Sequence, residues 1–215
     1  GCQVALASPR PSDFCELPEG IIGIEFDYQE ASPLFNSIIE NEIIIVQGTI
    51  MERLPELKSY AEKRIFVMDL YDPYVIENLE IHKDKPLKQR KEIHQVDLEA
   101  QVKQLELGDY FICANEKQMD LWIGMLSTLN KVNPEEVSKS SRLKRLIDVV
   151  PFGISNEEPV KTKEGALLEK IPSYKEGDKV ILWGGGIWNW FDPLTCIRAI
   201  DKISKNRDDV KLFFM

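Results

Sequence analysis

Eight short runs rich in β-branched and aromatic residues punctuate the chain: CQVALA (2–7), GIIGIEF (20–26), EIIIVQG (42–48), RIFVMDL (64–70), DYFICAN (109–115), IDVVPFG (147–153), KVILWGG (179–185) and VKLFF (210–214). Several are continuously apolar instead of alternating, which predicts parallel-sheet strands covered by helices on both faces. Helical patterns fill the intervals. Ser32-Pro33, Asp72-Pro73 and Asp192-Pro193 each place a capping side chain before a proline suited to the first helical position. Asn115 with Gln118 resembles a capping box, followed by a stripe of Met119, Trp122, Ile123, Leu126 and Leu129. Two further helical stretches, 52–63 and a long polar one near 78–107, have no sharp ends. The alternation predicts an α/β fold, a Rossmann-like doubly wound parallel sheet with right-handed crossovers.

The pattern breaks after about residue 153. Residues 156–178 are charged, carry Pro and Gly and lack periodicity, as expected of a linker. This divides the chain into a first domain at 1–155, the linker, and the start of a second domain at 179–215. Some forty residues, holding one strand, a loop, a helix and a last strand, are too few to close a stable sheet. The second domain is therefore expected to be truncated. An opening without Met, on a strand-like run, and an apolar ending FFM carry the same expectation of a fragment.

Composition narrows the function classes. The 215 residues are 43% hydrophobic and 29% charged, in keeping with a globular core. A formal charge of −9 argues against a general affinity for nucleic acid, and the clusters at 88–91 and 142–145 are short enough to be solvated helix faces. Cys2, Cys15, Cys113 and Cys196 form no CxxC pair, and His82 and His94 are the only histidines, so no metal site is expected. Scattered thiols fit a reducing, cytoplasmic compartment. No apolar run reaches the roughly 18 residues of a membrane span, and no signal peptide is visible.

The segment KVILWGGGIWNWFDPLTCIRAI (179–200) concentrates the candidate chemistry. It reads as strand, glycine loop and helix, with Leu194, Ile197, Ile200 and Ile203 on one helical stripe. A glycine turn aimed at a helix N-terminus offers free N–H groups and a positive dipole end, the ingredients of phosphate binding. Gly184, Gly185 and Gly186 would let the main chain approach a ligand, and Trp188 and Trp190 could stack on a base or sugar ring. Neither stock fingerprint is present: GxGxxG would need glycine where Asn189 stands, and a Walker loop would need Gly-Lys-Ser/Thr. A tight turn with tryptophans packed between domains fits the spacing equally well.

Strand ends supply the other candidates, because open α/β sheets bind ligands at their carboxyl edge. Asp69 and Asp72 lie at one such end; Asp72 is explained as a helix cap, while Asp69 leans to function. Asn115 and Glu116 follow another strand end, where capping also accounts for them, and Gln47, Gly48 and Thr49 close a third. His94, in a charged helical stretch, reads as a surface residue more readily than as a general base.

Taken together, DYFICANEKQMDLWIGML, LIDVVPFGI, VILWGGGIWNWFDPLTCIRAI and DVKLFFM resemble bacterial glycosyltransferases of the GT-B type, in the large retaining group 1 family. The resemblance runs from about residue 40 onward and is strongest at 109–126 and 147–215. It implies an N-terminal Rossmann-like domain on the acceptor side and a C-terminal one that binds a nucleotide-sugar donor, with the glycine loop beside the donor diphosphate. On that basis Gly184, Gly185, Gly186, Trp188, Asn189 and Trp190 are donor candidates, and Asp69 and Asn115 acceptor-side candidates. The family implies no obligatory metal or cofactor, and acceptors that are glycans, lipid-linked saccharides or small molecules. Such enzymes often work at the inner leaflet, which leaves peripheral membrane association open. Two departures are visible. The basic residue many relatives carry just after the glycine turn is replaced by Ile187, Trp188 and Asn189. The paired-glutamate donor motif would lie beyond Met215 and the glycine-rich first strand before Gly1, so the piece is expected to be inactive alone, and no residue in it is assigned as catalytic. A nucleotide-sugar epimerase of the same fold and a non-catalytic nucleotide- or protein-binding module are the alternatives.

Overall fold

A computed structural model of the chain describes residues 2–15, 17–171 and 173–215; Gly1, Glu16 and Pro172, which fall within the expected domain and linker ranges, lie outside them. The chain forms two compact units, Gly1–Ile76 with Pro86–Phe152, and Glu77–Lys85 with Gly153–Met215. All eight apolar runs form strands.

The first unit holds β1 (Val4–Ser8), β2 (Ile21–Glu25), α1 (Ser32–Glu40), β3 (Ile43–Gln47), α2 (Ile50–Arg53), α3 (Lys58–Ala61) and β4 (Ile65–Asp69). There follow α4 (Tyr74–Ile81), whose last turn belongs to the second unit, α5 (Leu87–Leu107), β5 (Tyr110–Cys113), α6 (Glu116–Thr128), α7 (Pro134–Lys139) and β6 (Ile147–Val149). β1 and β2 pair in parallel as a two-stranded sheet, and β3-β4-β5-β6 form a four-stranded parallel sheet in sequence order. The architecture is α/β with parallel sheets, compatible with a Rossmann-like fold.

Sequential order has a physical consequence for burial. Right-handed crossovers that always step in one direction deliver their helices to one face of the sheet. The register aligns Val46 with Met68, Met68 with Phe111 and Phe111 with Ile147 on that face. These side chains form one core with Leu34 and Ile38 of α1, Leu105 of α5, and Trp122 and Leu126 of α6. The opposite face carries Ile43, Ile45 and Ile65, which are 57%, 65% and 50% exposed. The expectation of strands covered on both faces is thus corrected: in this sheet, continuous apolar sequence coexists with one buried and one open face.

Prolines reshape two of the expected helices. The 52–63 pattern is broken at Pro55 into α2, a 3-10 turn at Pro55–Leu57 and α3. The 78–107 pattern becomes α4 and α5, because Pro86 pushes Lys85 out of helical conformation and starts the next helix. Capping is also more selective than the Xaa-Pro pattern suggests. Ser32 lies inside α1, with Ala31 at the N-cap, and α4 begins at Tyr74, so Asp72 is not at its boundary. Asn133, unremarked in the sequence, caps α7 by accepting the Glu136 N–H at 3.0 Å.

The second unit contains α8 (Ala166–Lys170), β7 (Lys179–Trp183), α9 (Pro193–Ser204) and β8 (Val210–Phe214). β7 and β8 pair in parallel through the α9 crossover. Two strands and a helix leave much apolar surface uncovered: Leu182, Leu194 and Ile197 are all exposed. No helix among the described residues is long and apolar enough to cross a membrane.

Candidate functional site

In the first unit, the carboxyl ends of the strands gather the acceptor-side candidates. The register sets Gln47 beside Asp69 across β3 and β4, and Asp69 beside Ile112 of β5. Asp69 Oδ1 accepts the Tyr71 N–H at 3.2 Å. Burial raises the Asp69 carboxyl above its ordinary value, and the Tyr71 hydrogen bond offsets this only in part. The neighbouring Cys113 thiol is buried and raised for the same leading reason.

Asn115 is bound up in holding this edge together. Its Oδ1 accepts the Gln118 N–H at 3.0 Å, while Gln118 Oε1 accepts the N–H of Ala114, one residue before the cap, at 2.9 Å, a variant of the capping box. Gln118 Nε2 donates to the Tyr71 carbonyl at 2.7 Å, and the buried Trp122 indole donates to the Leu70 carbonyl at 3.0 Å. The start of α6 is therefore stitched to the segment leaving β4. Tyr71 in turn meets Phe152 edge-on, ring centres 4.6 Å apart. The sequence marks Gln118 as the partner of Asn115, but not its bond to Tyr71; Tyr71 and Phe152 carry no sequence signal.

In the second unit the glycine loop follows β7. None of Gly184, Gly185 and Gly186 adopts a left-handed conformation, so turn geometry does not require them to be glycine. Gly184 and Gly185 have room for a side chain, the nearest heavy atoms to a Cβ at Gly185 being those of the Phe191 ring at 3.8 Å. Gly186 differs: a Cβ there would fall on the indole nitrogen of Trp188, far inside van der Waals contact. The loop is closed by Trp183, whose indole N–H donates to the Gly186 carbonyl at 3.2 Å. Among the described residues, no hydrogen bond within the chain uses the N–H of any of the three glycines.

The aromatic residues form a stack over this loop. Trp188 and Trp190 lie 5.1 Å apart at 20° between planes, Trp190 contacts Phe191 at 5.5 Å, and Trp188 is 56% exposed. Asn189 Nδ2 donates to the Glu80 carbonyl at 3.1 Å, which anchors the loop to the 77–85 segment of the same unit. That segment brings Lys83, ion-paired with Glu80, within electrostatic reach of Asp192. Hydrogen bonding from Thr195, with Arg198 and Lys83 nearby, holds the Asp192 carboxyl below its usual range.

Asp192 caps α9 as the sequence predicts, its Oδ1 accepting the Thr195 N–H at 3.2 Å from a left-handed backbone. The cap changes the electrostatics. One first-turn N–H is already used and Pro193 has none, so a carboxylate occupies the positive end of the helix. The free donors lie in the glycine loop, and the cations come from Lys83 and Arg198. Lys83 stands about a hundred residues from the loop in sequence, which is why no local spacing could reveal it.

His94 corrects another expectation. It is half-buried on α5, and its Nδ1 is buried without a hydrogen-bond partner, unlike an exposed surface histidine. A cavity of about 500 Å³ opens at the amino end of β5 and β6, bordered by Asp109, Lys131 and Leu146. It sits at the opposite end of the strands from Asp69 and Asn115, so it is separate from the carboxyl-edge candidates. No group of three or more His, Cys, Asp and Glu residues that could hold a metal occurs among the described residues. No family model matches the chain, and none of the curated proteins compared with it does so either.

Proposed function

We propose that the chain is part of a GT-B type, group 1 glycosyltransferase that moves a sugar from a nucleotide-activated donor to a saccharide, lipid-linked or small-molecule acceptor. In this reading the first unit is the acceptor-side Rossmann-like domain and the second unit begins the donor domain. The supporting observation is the β7–loop–α9–β8 arrangement, with three successive glycine N–H groups unused at the end of a parallel strand. Breaking the bond between the sugar and a nucleoside diphosphate leaves negative charge on the departing oxygens. Preorganised N–H donors and cations stabilise such charge most where water is excluded. Gly184, Gly185 and Gly186 supply the donors, Lys83 and Arg198 the cations, and Trp188 with Trp190 an apolar wall against the sugar or base. Asp69 and the Asn115 edge line the acceptor side.

The test is calorimetric titration of the full-length protein with UDP, GDP and ADP sugars. Saturable binding of one of them is expected; failure with every nucleotide sugar would refute the reading. Gly185→Asp sharpens it, because a Cβ there meets only ordinary contacts and the carboxylate would oppose a bound diphosphate. Binding should be lost while both units stay folded. Unchanged affinity would mean that the loop only packs.

A further inference from the structure

The cavity at the amino ends of β5 and β6 is walled by two turns with unusual backbones. Asn130 (φ 57°) follows the end of α6 and Leu143 (φ 54°) precedes Arg145; with Asp192 they are the non-glycine residues of positive φ among the described residues. A branched residue such as leucine is costly in that region, and such strain concentrates at ligand sites. Here the two turns set Asn130 and Arg145 on the cavity lining.

Charge on the lining is unevenly committed. Glu136 is held by Lys139, which Glu135 also engages. Asp109 Oδ2 accepts the Phe66 N–H at 2.8 Å. Lys131 donates to the Gly108 carbonyl at 2.6 Å and lies 5.6 Å above the Phe111 ring, leaving two of its three donors unused. Arg145 is exposed and has no hydrogen-bond or ionic partner among the described residues, the adjacent Lys144 being the one that pairs with Asp148. Burial holds the Lys131 ammonium below the ordinary lysine range, although Asp109 and Glu106 work against this. A half-buried lysine and an exposed guanidinium thus line one cavity, and both are groups that bind anions.

We propose that this cavity binds a phosphate monoester of a small polyhydroxylated molecule. The phosphate is held by the Arg145 fork and Lys131, and hydroxyl groups meet the Asn130 carboxamide and the free oxygen of Asp109. Lys131 keeps donors to spare and Arg145 all of its own, Glu136 is offset by Lys139, and about 500 Å³ accommodates a hexose phosphate. The site is independent of the donor loop, so it stands or falls apart from the glycosyltransferase reading.

The experiment is titration of the full chain with glucose 6-phosphate, inorganic phosphate and glucose, followed by calorimetry and ³¹P NMR. Saturable binding of the ester, weaker binding of inorganic phosphate and none of glucose is expected. Arg145→Gln should weaken ester binding about 10-fold or more, the loss typical of a charged hydrogen bond. Arg142→Gln, three residues away and outside the cavity, should leave it unchanged, and unfolding midpoints show that both variants fold. Absence of saturable binding by the wild-type chain, equal affinity in Arg145→Gln, or equal loss in Arg142→Gln would each overturn the proposal.

Discussion

Trp122→Phe tests how the carboxyl edge of the first unit is held in place. Trp122 is 1% exposed, packs in the core between α6 and the sheet, and donates to the carbonyl of Leu70, itself buried. Phenylalanine removes the donor and leaves that carbonyl unsatisfied, at a cost of about 1–3 kcal/mol. Loss of the second ring opens a gap that adds about 1 kcal/mol, since the surrounding core relaxes only in part. The sum is about 2–4 kcal/mol, large against the stability of an ordinary domain. Urea unfolding followed by far-UV circular dichroism would show it as a midpoint lower by about 1–2 M at unchanged slope. Trp122→Leu loses the same hydrogen bond and more volume, so it should fall further. A stability loss of less than about 0.5 kcal/mol, or Trp122→Leu no worse than Trp122→Phe, would refute both the hydrogen-bond and the packing assignment.

Asn115→Ala should cost about 1 kcal/mol through the α6 cap, with Asn115→Asp or Asn115→Ser recovering most of it in the same denaturation assay. Gly186→Ala forces Trp188 out of its place, so the Trp188–Trp190 stack should be lost, read as a change in near-UV circular dichroism, while Gly184→Ala leaves the spectrum unaltered. Asp69 has a folded-state pKa above its unfolded value, so its ionised form is disfavoured by folding. Its stability contribution is full below the unfolded pKa and is lost as pH rises through the folded pKa. Asp69→Asn should flatten that decline in melting temperature across acidic pH and be no less stable than wild type at neutral pH; a steeper decline would reverse the assignment. Gly108→Ala should be strongly destabilising, because its Cβ would sit 2.6 Å from both Met68 and the Phe111 ring.

The strands were legible because their apolar runs are short and bounded by Gly, Pro and polar residues. The Asn115–Gln118 box and the Asp192-Pro193 start were legible for a related reason: a helix cap is local chemistry, fixed by residues three apart. What could not be read is nonlocal. Sheet order decides whether Ile45 faces a helix or the open side, and no feature of EIIIVQG distinguishes the two. Lys83 reaches Asp192 only in three dimensions, as Asp109, Lys131 and Arg145 meet only around their cavity. Glycine was ambiguous in its own way. Three identical residues in the loop differ in their surroundings: a side chain at Gly186 must displace the indole of Trp188, while one at Gly184 meets open space.

The position of β3 at the margin of its sheet has a kinetic side. Among the described residues β3 is bonded to β4 alone, and Ile43 and Ile45 leave one flank open to solvent. β4 and β5, bonded on both sides, should retain their amide protons against deuterium until the whole unit opens. Labels should enter the edge strands β3 and β6 before β4 and β5, through excursions too small to disturb the Phe66–Phe111 core. The isotope pattern would rank the strands by their place in the sheet, with no need of a ligand.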